Sequence, residues 1–302
     1  MTTNPPPADP PWQKLSAREA GLPVDETLYD GVAPHMEAAL RDWIYTNVTE
    51  QVAVRVLSKL RISPHGGQGE ARRNQLAHSL FRKELLDVVD CALSLNLAAD
   101  ARAAYERLEL KTRYPEPFVD PVARLSEVLG EAGSAYQVRS TEDGLERVVD
   151  ATVTEAARKA GETADATGRS VAKARLRAAW LKAYALHPDP GAAYADALRA
   201  VEDVACPLFL PSNSRPTLGN VRSHLEQAAH KYELVIQDEN AVPASVDTVT
   251  AMIALLWHGH RDRHEGGPSS APISEEAAKA AVHLAATLVQ WLSAGVVQRK
   301  TP

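Results

Sequence analysis

Residues 257–267 hold the chain's densest set of groups able to do chemistry: Trp257, His258, His260, Arg261, Arg263 and His264, closed by Gly266-Gly267. Imidazole titrates near neutral pH and guanidinium stays charged, so the set can move protons and hold a phosphate without a metal or cofactor. If the apolar periodicity leading into it carries a helix to His264, then Trp257, His260, Arg261 and His264 share one face. On that reading His264 is a general base, and Arg261 or Arg263 stabilises charge developing on a phosphate. Trp257 stacks a base, with His258 beside it in the binding set. A two-fold axis along this face would bring a second copy's histidine into place as general acid, making a homodimer part of the mechanism. The competing reading is structural, because cations before Gly-Gly are what a helix carboxyl end favours anyway. A zinc site through His260 and His264 lacks the central glutamate, and Arg261 stands where that motif has its base, so no metal is expected.

The rest of the chain limits what such a site can serve. The 302 residues carry a net charge of -6, so no global positive field attracts a polyanion, and RNA contact must use a local basic patch. Cys91 and Cys206 sit in apolar helical text, which suits buried thiols in the cytoplasm. Residues 1–29 begin with dense proline and read as a disordered tail. No apolar run approaches the roughly 20 residues that cross a bilayer, so no membrane partner is expected. Neither a phosphate-cradling glycine loop nor a Gly-x-Ser-x-Gly elbow is present.

Helical spacing predicts one long helix over 34–62, a second over 70–95 and a third over 98–111. A short one over 119–129 is opened by Asp120-Pro121. A hairpin is expected near 135–149 around an Asp143-Gly144 turn, then a single alanine-rich helix over 152–188. Four helices follow, at 191–206, 217–236, 245–264 and 274–297, the last opened by Ser274 with Glu275 and Glu276 behind it. The fold class is therefore all-α with one small β-hairpin. Its expected divisions are a helical N-terminal domain at 30–165, a connecting helix at 166–186 and a four-helix C-terminal domain at 187–298. Arg72, Arg73, His78, Arg82 and Lys83 form a basic stripe, either a solvated face or a hold for RNA backbone. Glu202, among Ala197, Leu198 and Val201, is placed either to pair with an arginine of the site or to face water, and His283 reads as a partly buried, satisfied histidine.

Over roughly His187 to Leu292 the text is similar to the C-terminal domain of bacterial abortive-infection proteins, a branch of the HEPN superfamily. The matching residues are Asp189-Pro190 with Ala193-Tyr194, Ala197 to Glu202, Thr217-Leu218-Gly219, the His264 turn, and Glu275-Glu276-Ala277 through Val289. The resemblance implies a four-helix, dimeric domain. In its active members that domain cuts single-stranded RNA without metal, as a toxin or antiphage effector restrained by an antitoxin or released by a phage-derived trigger. It also implies a site of arginine, a polar residue and histidine near the end of the third helix. His264 fills the histidine place, but seven positions upstream stands Trp257, and Arg261 lies only three upstream. Two functions stay open: a metal-independent endoribonuclease, and a catalytically degenerate bundle serving as a dimerisation or nucleic-acid and partner-binding module.

Overall fold

The computed structural model describes residues 14–21, 28–64, 71–97, 120–237, 241–260 and 272–300. Among them the fold is mainly helical with two small two-stranded sheets. The chain divides into two compact units, 1–145 and 146–302. The division falls between Leu145 and Glu146, ahead of the alanine-rich stretch in which the sequence places it.

The first unit comprises α1 (Leu15–Glu19), α2 (Glu37–Asn47), α3 (Glu50–Lys59), α4 (Leu85–Ser94), α5 (Pro121–Glu131) and the hairpin β1 (Tyr136–Val138) with β2 (Leu145–Arg147), which runs across the division. Its core joins Leu40, Trp43 and Ile44 of α2 to Val56 and Leu57 of α3, Leu85 and Val89 of α4, and Leu125 and Leu129 of α5. The single helix expected over 34–62 is two helices. Val48 is extended, and the Thr49 hydroxyl accepts the Val52 N–H at 3.3 Å, so a side-chain cap restarts the helix.

The helix expected over 70–95 is also broken. A turn at Arg72–Asn74 runs into a π-helical turn, Gln75–Ser79; Leu80 and Phe81 are then extended, and a 3-10 turn, Arg82–Glu84, leads into α4. Glu84 reaches back to the Phe81 N–H at 2.9 Å, which fixes the break. The helix expected over 98–111 lies outside the described residues. At the hairpin the reversal is not an Asp-Gly turn: the Arg139 carbonyl accepts the Glu142 N–H at 2.8 Å and Glu142 takes φ 59°. Gly144 is required by proximity. A Cβ there would lie 2.8 Å from Asp90 Oδ1, the atom that accepts the Leu145 N–H at 2.6 Å.

The second unit comprises α6 (Ala151–Ala166), α7 (Ser170–Tyr184), α8 (Pro190–Phe209), α9 (Leu218–Ala228), β3 (Tyr232–Leu234), α10 (Asp247–Gly259), α11 (Glu275–Ser293) and β4 (Val297–Arg299). The helix expected over 152–188 is α6 and α7, turned on Gly168 at φ 78°, a conformation only glycine adopts cheaply. Residues 166–186 are not a connector. Ala172, Leu176, Ala179 and Tyr184 of α7 belong to the same buried cluster as Ala193, Val201 and Val204 of α8 and Val282, Ala285 and Val289 of α11. Small residues let these helices approach closely, and α8 and α11 form the centre of the unit.

Helix α8 passes the expected stop at Pro207, because the proline lies in its last turn and Phe209 is buried against Tyr232, ring centroids 5.3 Å apart. Helix α9 ends at Ala228 rather than continuing to residue 236. Tyr232, Glu233 and Leu234 instead pair antiparallel with Arg299, Gln298 and Val297, a second sheet the sequence reading lacks.

Candidate functional site

The candidate site is built where α10 ends. Val249, Ile253 and Leu256 bury one side of that helix, while Leu255 is 68% exposed. The helix stops at Gly259, and His260 has left it, with φ -79° and ψ 78°. The helix expected over 245–264 thus stops at Gly259, with His260 already outside it, and Arg261 and His264 of the expected shared face lie beyond the described residues. The stop has a physical cause in Tyr194 of α8. Its buried hydroxyl donates to the Leu256 carbonyl at 2.9 Å, one of the terminal carbonyls left without a helical partner. That hydroxyl occupies the space a Cβ at residue 259 would need, and the Tyr194 ring lies parallel to the His260 ring at 5.5 Å.

His258 lies on the exposed side of the same terminal turn. Its Nε2 is 2.5 Å from Arg222 Nη1 of α9, and Arg222 Nε is 3.3 Å from Glu226 one turn further along. A guanidinium only donates, so Nε2 is the acceptor and a neutral His258 ring carries its proton on Nδ1. Trp257 is half-buried, and its indole lies against Gly219: a Cβ at residue 219 would stand 2.6 Å from the ring. The indole thus packs α10 onto the first turn of α9. That turn begins with reciprocal capping, the Asn220 N–H bonding the Thr217 hydroxyl and the Thr217 N–H bonding the Asn220 side chain.

Glu202, expected either to pair with an arginine of the site or to face water, is engaged by the backbone of α9. Its carboxylate accepts the Leu218 N–H at 2.8 Å, placing an acid at the amino end of α9 where the helix dipole favours one. Arg261, Arg263 and His264 lie outside the described residues. The structure thus unites His258 with Arg222, His260 with Tyr194, and Trp257 with Gly219. Arg222 went unremarked in the sequence because one arginine on an amphipathic helix looks like any solvated cation; only the crossing of α9 and α10 singles it out.

Glu202 also borders a cavity of about 350 Å³, lined further by Asp203, Cys206, Leu210, Asn213 and Pro216. Burial pushes the Cys206 thiol up to about 12, so it is no nucleophile near neutral pH. Burial likewise raises Asp203, opposed by Arg175 at 2.9 Å. Among the described residues no three His, Cys, Asp or Glu side chains are grouped to hold a metal ion.

His283 of α11 is partly buried, its Nε2 2.6 Å from the Tyr184 hydroxyl and its ring edge-on to Trp180 at 5.7 Å. Burial lowers its pKa from the ordinary histidine value. Below the unfolded value near 6.5 the unfolded chain binds a proton that the folded chain resists, so stability falls as pH drops through 6.5 towards the folded value. Thermal melting of wild type should show this loss, and His283→Gln should flatten it in that window; an unchanged slope would contradict the assignment.

No family model, curated protein or solved structure matches the chain. No helix among the described residues is long and apolar enough to cross a membrane.

Proposed function

We propose that the second unit is a HEPN-like bundle of abortive-infection type, acting in the cytoplasm as a homodimeric, metal-independent endoribonuclease in antiphage defence, restrained or triggered by a partner protein. The observation that carries this reading is the Arg222–His258 pair at the exposed end of α10. It sets a permanent cation beside an imidazole whose acceptor nitrogen faces that cation. Arg222 takes the place of the arginine that Trp257 displaces from the family's motif.

A phosphodiester entering here exchanges the Arg222 contact for one to a phosphate oxygen, freeing His258 Nε2 to accept the ribose 2′-hydroxyl proton. The 2′-oxygen then attacks phosphorus, the bond to the 5′-oxygen breaks, and a histidine of the 260–264 segment, from this or the second copy, protonates that leaving oxygen. The products are a 2′,3′-cyclic phosphate and a free 5′-hydroxyl. The second reading, a binding module without catalysis, is favoured by one feature: Leu255, 68% exposed, lies one turn from exposed Ala251 on the outside of α10.

End-labelled single-stranded RNA incubated with purified protein in EDTA separates the two. Wild type should yield fragments ending in cyclic phosphate, while Arg222→Ala and His258→Ala should each lose about a hundredfold in rate. His264→Ala should lose the same activity and relieve growth arrest on induction. Intact RNA with wild type, under conditions where the protein is folded and dimeric, removes the nuclease reading and leaves the binding module.

A further inference from the structure

We propose that the first unit carries its own binding surface for single-stranded nucleic acid, formed by Tyr45, Arg73, His78, Phe81, Arg82 and Lys83. This surface stands apart from the nuclease reading. Phe81 is 74% exposed, the most exposed large hydrophobic side chain among the described residues, yet its backbone is held rather than loose. Arg41 of α2 donates to the Ala77 carbonyl at 2.6 Å and the Leu80 carbonyl at 3.0 Å, and Glu84 accepts the Phe81 N–H. The π-helical turn at 75–79 is anchored from beneath by buried Gln75, which donates to the Ser63 carbonyl at 2.9 Å. Such turns cost hydrogen-bond geometry and recur at functional sites. Here the turn ends in two extended residues that present a phenyl ring to solvent.

The surroundings match a polyanion with stacked rings. Tyr45 lies one helical turn beyond Arg41 on the same face of α2, with the Arg73 guanidinium 4.8 Å above its ring and the His78 ring at 5.8 Å. Arg82 and Lys83 follow Phe81 directly, both exposed, and no acid among the described residues pairs with either. Three of the acids on this side are turned to other work, while Asp42 stands exposed one turn before Tyr45. Glu37 binds Arg41, Glu50 accepts the Arg72 and Arg73 backbone N–H groups, and Glu84 caps Phe81. An exposed phenyl ring beside two cations without acid partners, next to a tyrosine already stacked by a guanidinium, suits unstacked bases and their phosphates. A duplex offers no free base face, so this chemistry selects single strands.

The test uses full-length protein carrying Arg222→Ala and His258→Ala, so that cleavage and any contribution of that pair are removed from both arms. Fluorescence anisotropy with a labelled single-stranded RNA, the matching DNA strand and the matching duplex measures affinity across a salt series. Phe81→Ala should weaken single-strand binding about fivefold or more, and Phe81→Trp should restore it. Changing Arg82 and Lys83 together to alanine should lower the slope of log affinity against log salt by about 1.4. Phe81 is exposed, so these variants should keep the parent's circular dichroism and melting temperature. Unchanged affinity in Phe81→Ala, equal affinity for the duplex, or binding to phosphatidylserine vesicles in place of the single strands overturns the proposal. None of these outcomes depends on whether the wild-type chain cleaves RNA.

Discussion

Trp43→Ala is expected to cost the first unit about 3–5 kcal/mol, a large share of the stability of a small domain. Trp43 is 2% exposed at the centre of α2, and its indole N–H donates to the Pro121 carbonyl at 2.8 Å, tying α2 to the first turn of α5. Alanine removes most of that buried ring and leaves a void that Leu40, Ile44 and Leu125 cannot fill without moving backbone. The Pro121 carbonyl keeps its own place in α5, so the hydrogen bond is the smaller loss. Trp43→Phe should therefore cost much less than alanine, on the order of 1–2 kcal/mol. Urea unfolding followed by far-ultraviolet circular dichroism should show a lower midpoint for one transition with the other in place. Equal losses for alanine and phenylalanine would mean that the hydrogen bond, not the packing, carries the contact.

Gly259→Ala is the second large effect, and it runs against ordinary helix propensity. Replacing glycine by alanine inside a helix normally gains about 1 kcal/mol. Here the new methyl meets the Tyr194 hydroxyl, which is buried and fixed by its bond to the Leu256 carbonyl, with the ring carbon bearing it at 3.1 Å. Neither group is the loose end of a flexible chain, so the end of α10 must shift, at a cost of about 1–3 kcal/mol. His258 and His260 ride on that turn. Tyr194→Phe in the same chain removes the obstructing oxygen and should recover part of the stability lost to Gly259→Ala. A double-mutant cycle by thermal melting reads this as a favourable coupling. Additive losses would show that the crowding has another source.

How far the fold is legible in the chain depends on the range of the interaction that decides each element. Asp120-Pro121 and Ser274-Glu275-Glu276 announce helix starts through groups two or three residues apart, and both caps form: Asp120 accepts the Val122 N–H and Ser274 the Ala277 N–H. Hydrophobic spacing likewise identifies the buried faces of α2, α8 and α11, since a helix face is set by periodicity. Interruptions are harder to see. Val48-Thr49, Leu80-Phe81 and Gly168 each sit inside text whose apolar repeat carries on across the break, so periodicity alone joins helices that capping and glycine divide. Strands β3 and β4 are three residues each and lie more than sixty positions apart, with nothing local to announce their pairing.

The candidate site divides along the same line. The residue types at the end of α10, and the absence of phosphate-loop or serine-nucleophile motifs, are properties of adjacent residues, and the sequence by itself determined them, together with the mainly helical class. Which imidazole meets which cation was decided by the tertiary structure. Arg222 reaches His258 where Gly219 admits the Trp257 ring between α9 and α10, and at the end of α10 the Leu256 carbonyl is taken by the hydroxyl of Tyr194, more than sixty positions earlier. Close packing of small residues against large rings fixes such meetings, and the identity of the neighbour across a helix crossing is not encoded in the spacing of either helix.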